Sequence, residues 1–248
     1  MIDGGPNEGQ AAVILLAGGQ SARMVGIDKI WADVAGKPII SYSFDWLLDP
    51  KFVREVSLAE VIIVAPSEQQ ERMNEVLTQR LDGARVPLFR FASPGVSRQD
   101  SVRSGLELVS HQTQWVLVHD GARPLVSIEM ALRVFSAAVQ YGAAVPGIEV
   151  SDTVKSMQHL TGADVSFVDK TLNRAQLRLI QTPQGFSYKA LAKAHQLCEG
   201  AFTDDASMIE SLGDRVAVVD GEIDNIKVTY PSDLELVSEK LKTFDRYR

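Results

Sequence analysis

Short apolar runs alternate with amphipathic stretches along most of this chain. Residues 11–17, AAVILLA, are apolar throughout and end on Gly18 and Gly19. A run of this kind closed by glycines reads as a buried strand feeding a loop. Residues 38–48 carry apolar positions at helical spacing, and EVIIVAP at 60–66 reads as a second buried strand. The spacing then predicts a helix from Ser67, acting as its cap, to about Leu81. A third strand is expected at 86–92, a helix ending near Ser110, a fourth strand at 114–120, a helix over 128–141 and a short strand at 142–147. This alternation implies right-handed crossovers and an α/β fold with a mainly parallel sheet covered on both faces.

The pattern changes after residue 150. SDTVKSMQHL, a turn at 161–163 and DVSFVDKTLNR read as strand–turn–strand, an arm spanning about 151–175. A hairpin that interrupts a parallel fold either projects, as dimerisation arms do, or packs on an edge of its own subunit. LIQTPQGF returns to the sheet, followed by helices at about 187–199 and 204–212 and short strands at 216–220 and around 226–228. The last helix is expected to begin at Pro231, a good first-turn residue. Residues 1–10 lack periodicity and read as a disordered tail, leaving 11–248 as one domain with the arm inserted.

Composition narrows the function classes. Apolar residues make up 45% and charged residues 23% of the 248, and the net charge is −7. That balance disfavours a general nucleic-acid-binding surface, so a local cluster of Arg and Lys is purposeful. The single cysteine, Cys198, excludes an internal disulfide and a Cys-rich metal site, and in its helical setting reads as an inert thiol. Residues 1–10 have neither the n-region nor the h-region of a secretory signal, and no run is long enough to span a bilayer. The expected compartment is the cytoplasm, with no membrane contact.

The first loop carries the most chemistry. After Ala17, Gly18 and Gly19 come Ser21, Arg23 and Lys29. Glycines let backbone N–H groups approach a ligand closely, and fixed cations beside them favour anions. The loop matches neither G-x-x-x-x-G-K-[ST] nor G-x-G-x-x-G; the alternative is a tight turn with solvated charges. In open α/β sheets ligands bind outside the carboxyl ends of the strands. The glycine loop, SRQDSV at 97–102 and HDGARP at 119–124 all fall at such ends. They are expected to converge on one crevice.

LAGGQSARM with Lys29, SRQDSVRSGL, VHDGARP, DTVK, the Arg174 segment leading to QTPQGF, TDDASMIE and DNIKVTYPSDL occur in one order. Together they resemble the 2-C-methyl-D-erythritol 4-phosphate cytidylyltransferases of the non-mevalonate isoprenoid pathway, from about Ala11 to Leu241. The resemblance implies a Rossmann-like nucleotidyltransferase sheet with a projecting β-hairpin arm, transfer of a cytidyl group from CTP to methylerythritol phosphate, Mg²⁺ and a homodimer through the arm. It assigns Arg23 and Lys29 to the triphosphate and transition state, with Ala17, Gly18 and Gly19 offering backbone. Gly95, Arg98 and Ser101 fall where the family reads and encloses cytosine. Asp120 matches the acidic residue beside nucleotide and metal. Arg123 and Thr153 match contacts to the sugar-alcohol phosphate. Arg174 and Lys227 match residues that position the attacking phosphate and lie near the α-phosphate. His119 is expected to face away from Asp120, Asn225 to hold the loop bearing Lys227, and Asp204 and Asp205 to be a helix cap and first-turn acid.

The chain departs from that pattern in places. The family commonly has Pro before the loop lysine and an aromatic soon after, where Asp28 and Ile30 stand here. Val96 stands where some members carry an acid near the base. No fused second enzyme of the pathway is expected after Arg248. A CDP-ribitol-forming cytidylyltransferase shares much of the first loop but differs at VHDGARP and SRQDSV. A UDP- or GDP-sugar pyrophosphorylase is similar only in the first loop. A non-catalytic nucleotide-binding protein would not need every basic residue of this chemistry.

Overall fold

A computed structural model describes residues 9–19, 24, 26, 28–81, 86–159 and 165–242. In chain order they form β1 (Gln10–Leu16), β2 (Asp33–Val34), β3 (Lys37–Pro38), α1 (Ile39–Leu47), α2 (Pro50–Glu55), β4 (Leu58–Val64), α3 (Ser67–Thr78), β5 (Leu88–Ala92), α4 (Arg98–Leu106), β6 (Thr113–Asp120) and α5 (Ile128–Tyr141). There follow β7 (Ala143–Glu149), β8 (Lys155–His159), β9 (Ser166–Thr171), β10 (Arg178–Ile180), β11 (Gln184–Ser187), α6 (Tyr188–Leu197), α7 (Asp205–Ser211), β12 (Ala217–Asp220) and α8 (Pro231–Leu241).

Among the described residues an eight-stranded sheet runs β10-β7-β11-β6-β1-β4-β5, with β12 pairing β7. β1 lies parallel between β4 and β6, and β5 adds parallel to β4. The sheet is therefore mainly parallel at its centre, as expected. β11 is inserted antiparallel between β6 and β7, and β10 is antiparallel to β7. Side chains on a strand alternate between faces. Val13 and Leu15 of β1 accordingly pack with α1, α2, α3 and α5 on one face, and Ala12 and Ile14 with α4, α6 and α7 on the other. This two-sided burial is why β1 is apolar at almost every position.

A third cluster lies outside the sheet. Met24 from the first loop, Tyr42 of α1, Leu125, Val228, and Val237 and Leu241 of α8 pack together. β8 and β9 form a separate two-stranded antiparallel sheet, as the hairpin pattern predicts. Met157, Phe167 and Val168 on it are about half exposed.

Several boundaries shift for identifiable reasons. The sheet begins at Gln10, which pairs with Thr113, so that residue belongs to the sheet and not to a tail. Pro66, not Ser67, precedes α3, and no side chain caps that helix, which ends at Thr78. The segment around 226–228 is not a strand; Val228 makes one backbone bond, its N–H donating to Ala122 O at 2.8 Å. The small β2–β3 hairpin and α2, capped by Asp49, are each too short to show a period in the sequence.

Candidate active site

The glycine loop, the turn before α4 and the end of β6 converge as their positions require. A cavity of about 590 Å³ is lined by Gly18, Gly19, Lys29, Gly95, Val96, Arg98, Ser101, Asp120 and Lys227, among others. A second, of about 440 Å³, takes in Arg123, Thr182, Gln184, Thr203 and Asp204. The two meet at Arg98, Asp120 and Lys227, which line both. A larger open hollow of about 730 Å³, against α1 and α8, shares no residue with either.

At the junction Asp120 is nearly buried. Its Oδ2 accepts from Lys227 Nζ at 2.6 Å and its Oδ1 lies 3.6 Å from Arg98 Nε. Burial pushes its carboxyl up, but Arg98, Lys227 and Arg123 outweigh that and hold it well below the usual carboxylate range. Arg123 donates to Asn225 O at 2.7 Å, and burial lowers its pKa, with Asp120 opposing. Asn225 is fully buried and donates to Thr182 O at 2.9 Å, so it holds the segment that presents Lys227, as expected.

His119 faces away from the crevice. Thr182 Oγ1 accepts from Asp120 N at 3.1 Å and lies 3.0 Å from His119 Nδ1, while His119 Nε2 lies 3.2 Å from Arg123 O. Since Thr182 accepts from the amide, its hydroxyl hydrogen is free for Nδ1, which assigns a neutral ring donating from Nε2. Burial drives His119 down to about 4 from 6.5. With the folded pKa depressed, this group's contribution is complete above pH 6.5 and is lost as pH falls toward about 4. The slope it adds approaches about 1.4 kcal/mol per pH unit. Urea unfolding across that window should show a shallower slope for His119→Gln; equal slopes would rule out this origin.

The turn before α4 is built from local bonds. Ser97 and Asp100 form a capping box. Ser101 Oγ accepts from Gly95 N at 3.1 Å and donates to Ser97 O at 2.9 Å. A Cβ on Gly95 would come within 2.2 Å of the Asp100 Cβ. Gly95 and Ser101 thus shape the pocket wall, and Val96 is fully exposed at its rim.

Several predicted residues stand apart from the cavities. Ala17 is buried and its N–H donates to Val64 O at 2.9 Å, so its amide is committed to the sheet rather than offered to phosphates. Gly18 packs against Pro94, and Gly19 faces Lys29. Arg23 lies outside the described residues. Thr153 and Arg174 are exposed and line neither cavity within this chain. Arg174 sits in a 3-10 turn, Arg174–Gln176, at the base of the arm and donates to Ser151 O. Asp204 caps α7 through Ser207 N at 3.0 Å, as expected, but Asp205 is more than a first-turn acid: it is buried and pairs with Arg98 Nη1 at 2.6 Å.

The departure at Asp28 has a structural account. Its Oδ1 accepts from Ile30 N and its Oδ2 from Gln69 Nε2 at 2.9 Å. Gln69 Oε1 accepts in turn from Trp31 Nε1 at 2.9 Å, and Arg72 stacks 3.9 Å over the Trp31 ring. Asp28 is therefore engaged by α3, and the aromatic of this loop is Trp31, beside Ile30. Thr182, Thr203, Gln184 and Asp205 carry no catalytic role in the motif pattern, yet all four lie at or behind the crevice. The QTPQGF and TDDAS motifs contain them, and those motifs are the available signal.

The family described as IspD, 2-C-methyl-D-erythritol 4-phosphate cytidylyltransferase, matches residues 11–242. This chain belongs to that family. The 2-C-methyl-D-erythritol 4-phosphate cytidylyltransferase of Bacillus mycoides (strain KBAB4) is 38% identical over 231 residues, covering 92% of this chain and 95% of the relative. That of Geobacillus kaustophilus (strain HTA426) is 34% identical over 228 residues, 89% of this chain and 92% of its own. Among solved structures, the 4-diphosphocytidyl-2C-methyl-D-erythritol synthase of Anaerococcus prevotii superposes with a TM-score of 0.79 at 27% identity, covering 94% of this chain and 96% of its own. The cytidylyltransferase of Thermus thermophilus gives 0.67 at 31%, over 92% and 98%. This chain is therefore an enzyme of the nucleotidyltransferase class. Among the described residues no helix is long and apolar enough to cross a membrane.

Proposed function

We propose that this crevice transfers the cytidyl group of CTP to 2-C-methyl-D-erythritol 4-phosphate, with nucleotide in the larger cavity and the sugar-alcohol phosphate in the smaller. The observation that carries the assignment is their junction at Arg98, Asp120 and Lys227. A phosphate oxygen of the acceptor attacks the α-phosphorus in line. The new P–O bond forms as the bond to the bridging oxygen of pyrophosphate breaks, and nothing is oxidised or reduced. Such a reaction needs positioning and charge neutralisation more than covalent help. Lys29, beside Gly19, and Arg23 neutralise the triphosphate. Lys227 serves the α-phosphate, and Arg123 the incoming phosphate. The 95–101 turn bounds the base, where a few polar contacts separate cytosine from uracil.

The donor set suits Mg²⁺. Among the described residues no three His, Cys, Asp or Glu side chains gather to cage a metal. Mg²⁺ needs only one or two carboxylates and completes its shell with phosphate oxygens and water. Asp120, among the described residues the one carboxylate lining both cavities, would hold it, and the bound ion would neutralise charge developing on pyrophosphate.

The arm supports a homodimer: its apolar side chains are exposed, and Thr153 and Arg174 line neither cavity of their own chain. The arm of a second copy would bring them to the acceptor phosphate. The free Cys198 supports a cytoplasmic, reducing setting.

Pyrophosphate release across a panel of nucleotides and sugar-alcohol phosphates tests the substrates. CTP with methylerythritol phosphate should be turned over far faster than UTP, ATP or GTP with the same acceptor. Equal turnover with UTP would refute a cytidyl site, and preference for ribitol phosphate would move the chain to the CDP-ribitol class.

A further inference from the structure

Arg98 lies between two carboxylates. Asp120, on the crevice side, is 3.6 Å from its Nε; Asp205, behind it, accepts from Nη1 at 2.6 Å. Asp205 is 1% exposed, and its other oxygen, Oδ1, is 2.9 Å from His195 Nε2. His195 is also buried, and its carbonyl accepts from Arg103 Nε and Nη2 at 3.3 and 3.2 Å. A row of groups thus runs from α6 through α7 to the substrate junction: His195, Asp205, Arg98, Asp120, Lys227. Its outer members stay clear of the substrate space, since neither His195 nor Asp205 lines either cavity.

A carboxylate this deeply buried is stable only with partners. Burial raises the Asp205 carboxyl, but Arg98 and then His195 outweigh it and leave it lowered. The shorter contact of Arg98 is with Asp205, not with Asp120. Without that outer anion the guanidinium has one carboxylate left to satisfy, and a fork of parallel donors closes readily on a single carboxylate. Such closure would draw Asp120 away from Lys227 and cover the oxygens that face the nucleotide.

We infer that Asp205 is a positioning residue: backed by His195, it anchors Arg98 from behind, keeps the guanidinium from capping Asp120, and so holds the nucleotide cavity open. The inference rests on reading that cavity as the CTP site.

The test is a double-mutant cycle on the full-length chain, reading CTP affinity by calorimetry without acceptor, alongside KM for CTP and kcat. Asp205→Asn keeps the shape and an acceptor for His195 but removes the charge on Arg98. Losing one charge-assisted bond of this kind should weaken CTP binding by roughly ten- to a hundred-fold. In an Arg98→Ala background there is nothing left to position, and adding Asp205→Asn should change CTP affinity little further. A packing role would give the same factor in both backgrounds, and that result overturns the inference. Should Asp205→Asn alone fail to fold, Arg98→Ala and the double variant remain comparable, because the double variant removes both buried charges together. A second substitution that weakens CTP binding by about ten-fold there is also decisive against it. Wild-type affinity in Asp205→Asn with weak binding in Arg98→Ala refutes the positioning role alone. Wild-type affinity in Arg98→Ala refutes the nucleotide reading itself, and the inference with it.

Discussion

Lys29→Ala should lower kcat by roughly a hundred-fold or more, the scale of removing one preorganised charge or donor from a site of developing negative charge. Lys29 lines the larger cavity, beside Gly19, whose absent Cβ would have stood 3.9 Å from Lys29 Nζ. The loop around it is set by the Asp28–Gln69–Trp31 bonds, so the lysine's backbone keeps its place in the variant. The loss should therefore fall on turnover with at most a small shift in Tm, since a single half-exposed cation contributes little to folding. Steady-state kinetics and a thermal melt on the same preparation separate the two. A folded Lys29→Ala chain with undiminished kcat would remove Lys29 from the mechanism. Arg23→Ala is expected to behave alike.

The second large effect is a rescue. Arg174→Ala and Lys29→Ala chains should each be nearly inactive alone, yet regain activity when mixed. Arg174 stands at the base of an arm with exposed Met157, Phe167 and Val168, and lines neither cavity of its own chain. If a second copy supplies Arg174, a mixed dimer holds one site with both lesions and one with neither. Random reassortment makes half the dimers mixed, so up to about a quarter of wild-type activity should return. If Arg174 serves its own subunit, every mixed site carries one lesion and nothing returns. Mass measurement of the exchanged dimers makes a null result decisive against a shared site.

Much of this architecture can be read directly from residue patterns. Runs such as AAVILL and EVIIV mark strands buried on both faces, and their carboxyl ends locate the crevice before any coordinate is known. What stays hidden is what depends on pairing across long sequence separations. QTPQGF reads as a return to the sheet, but nothing in it says that β11 runs antiparallel between β6 and β7. The commitment of the Ala17 amide to Val64 is a backbone bond that no side-chain pattern records. Asp205 has the signature of a first-turn acid, and only burial against Arg98, 107 positions earlier, turns it into a counter-ion. Asp28 reads as an unwelcome charge near a triphosphate until Gln69 supplies its partner. Thr153 and Arg174 belong to motifs, but within this chain they line neither cavity.

The small cluster that joins Met24, Val228 and the apolar face of α8 makes the last helix a thermodynamic partner of the nucleotide loop. Val228 follows Lys227, so the cation expected at the α-phosphate is seated through a neighbour that shares one patch of oil with Met24 and α8. Fraying of α8 would uncover that patch and loosen the seat of Lys227. Linkage is reciprocal: if bound nucleotide needs Lys227 in place, binding it also disfavours the frayed state of the last helix. A helix that touches no substrate would thereby share in the affinity of the site, and the site in the order of that helix.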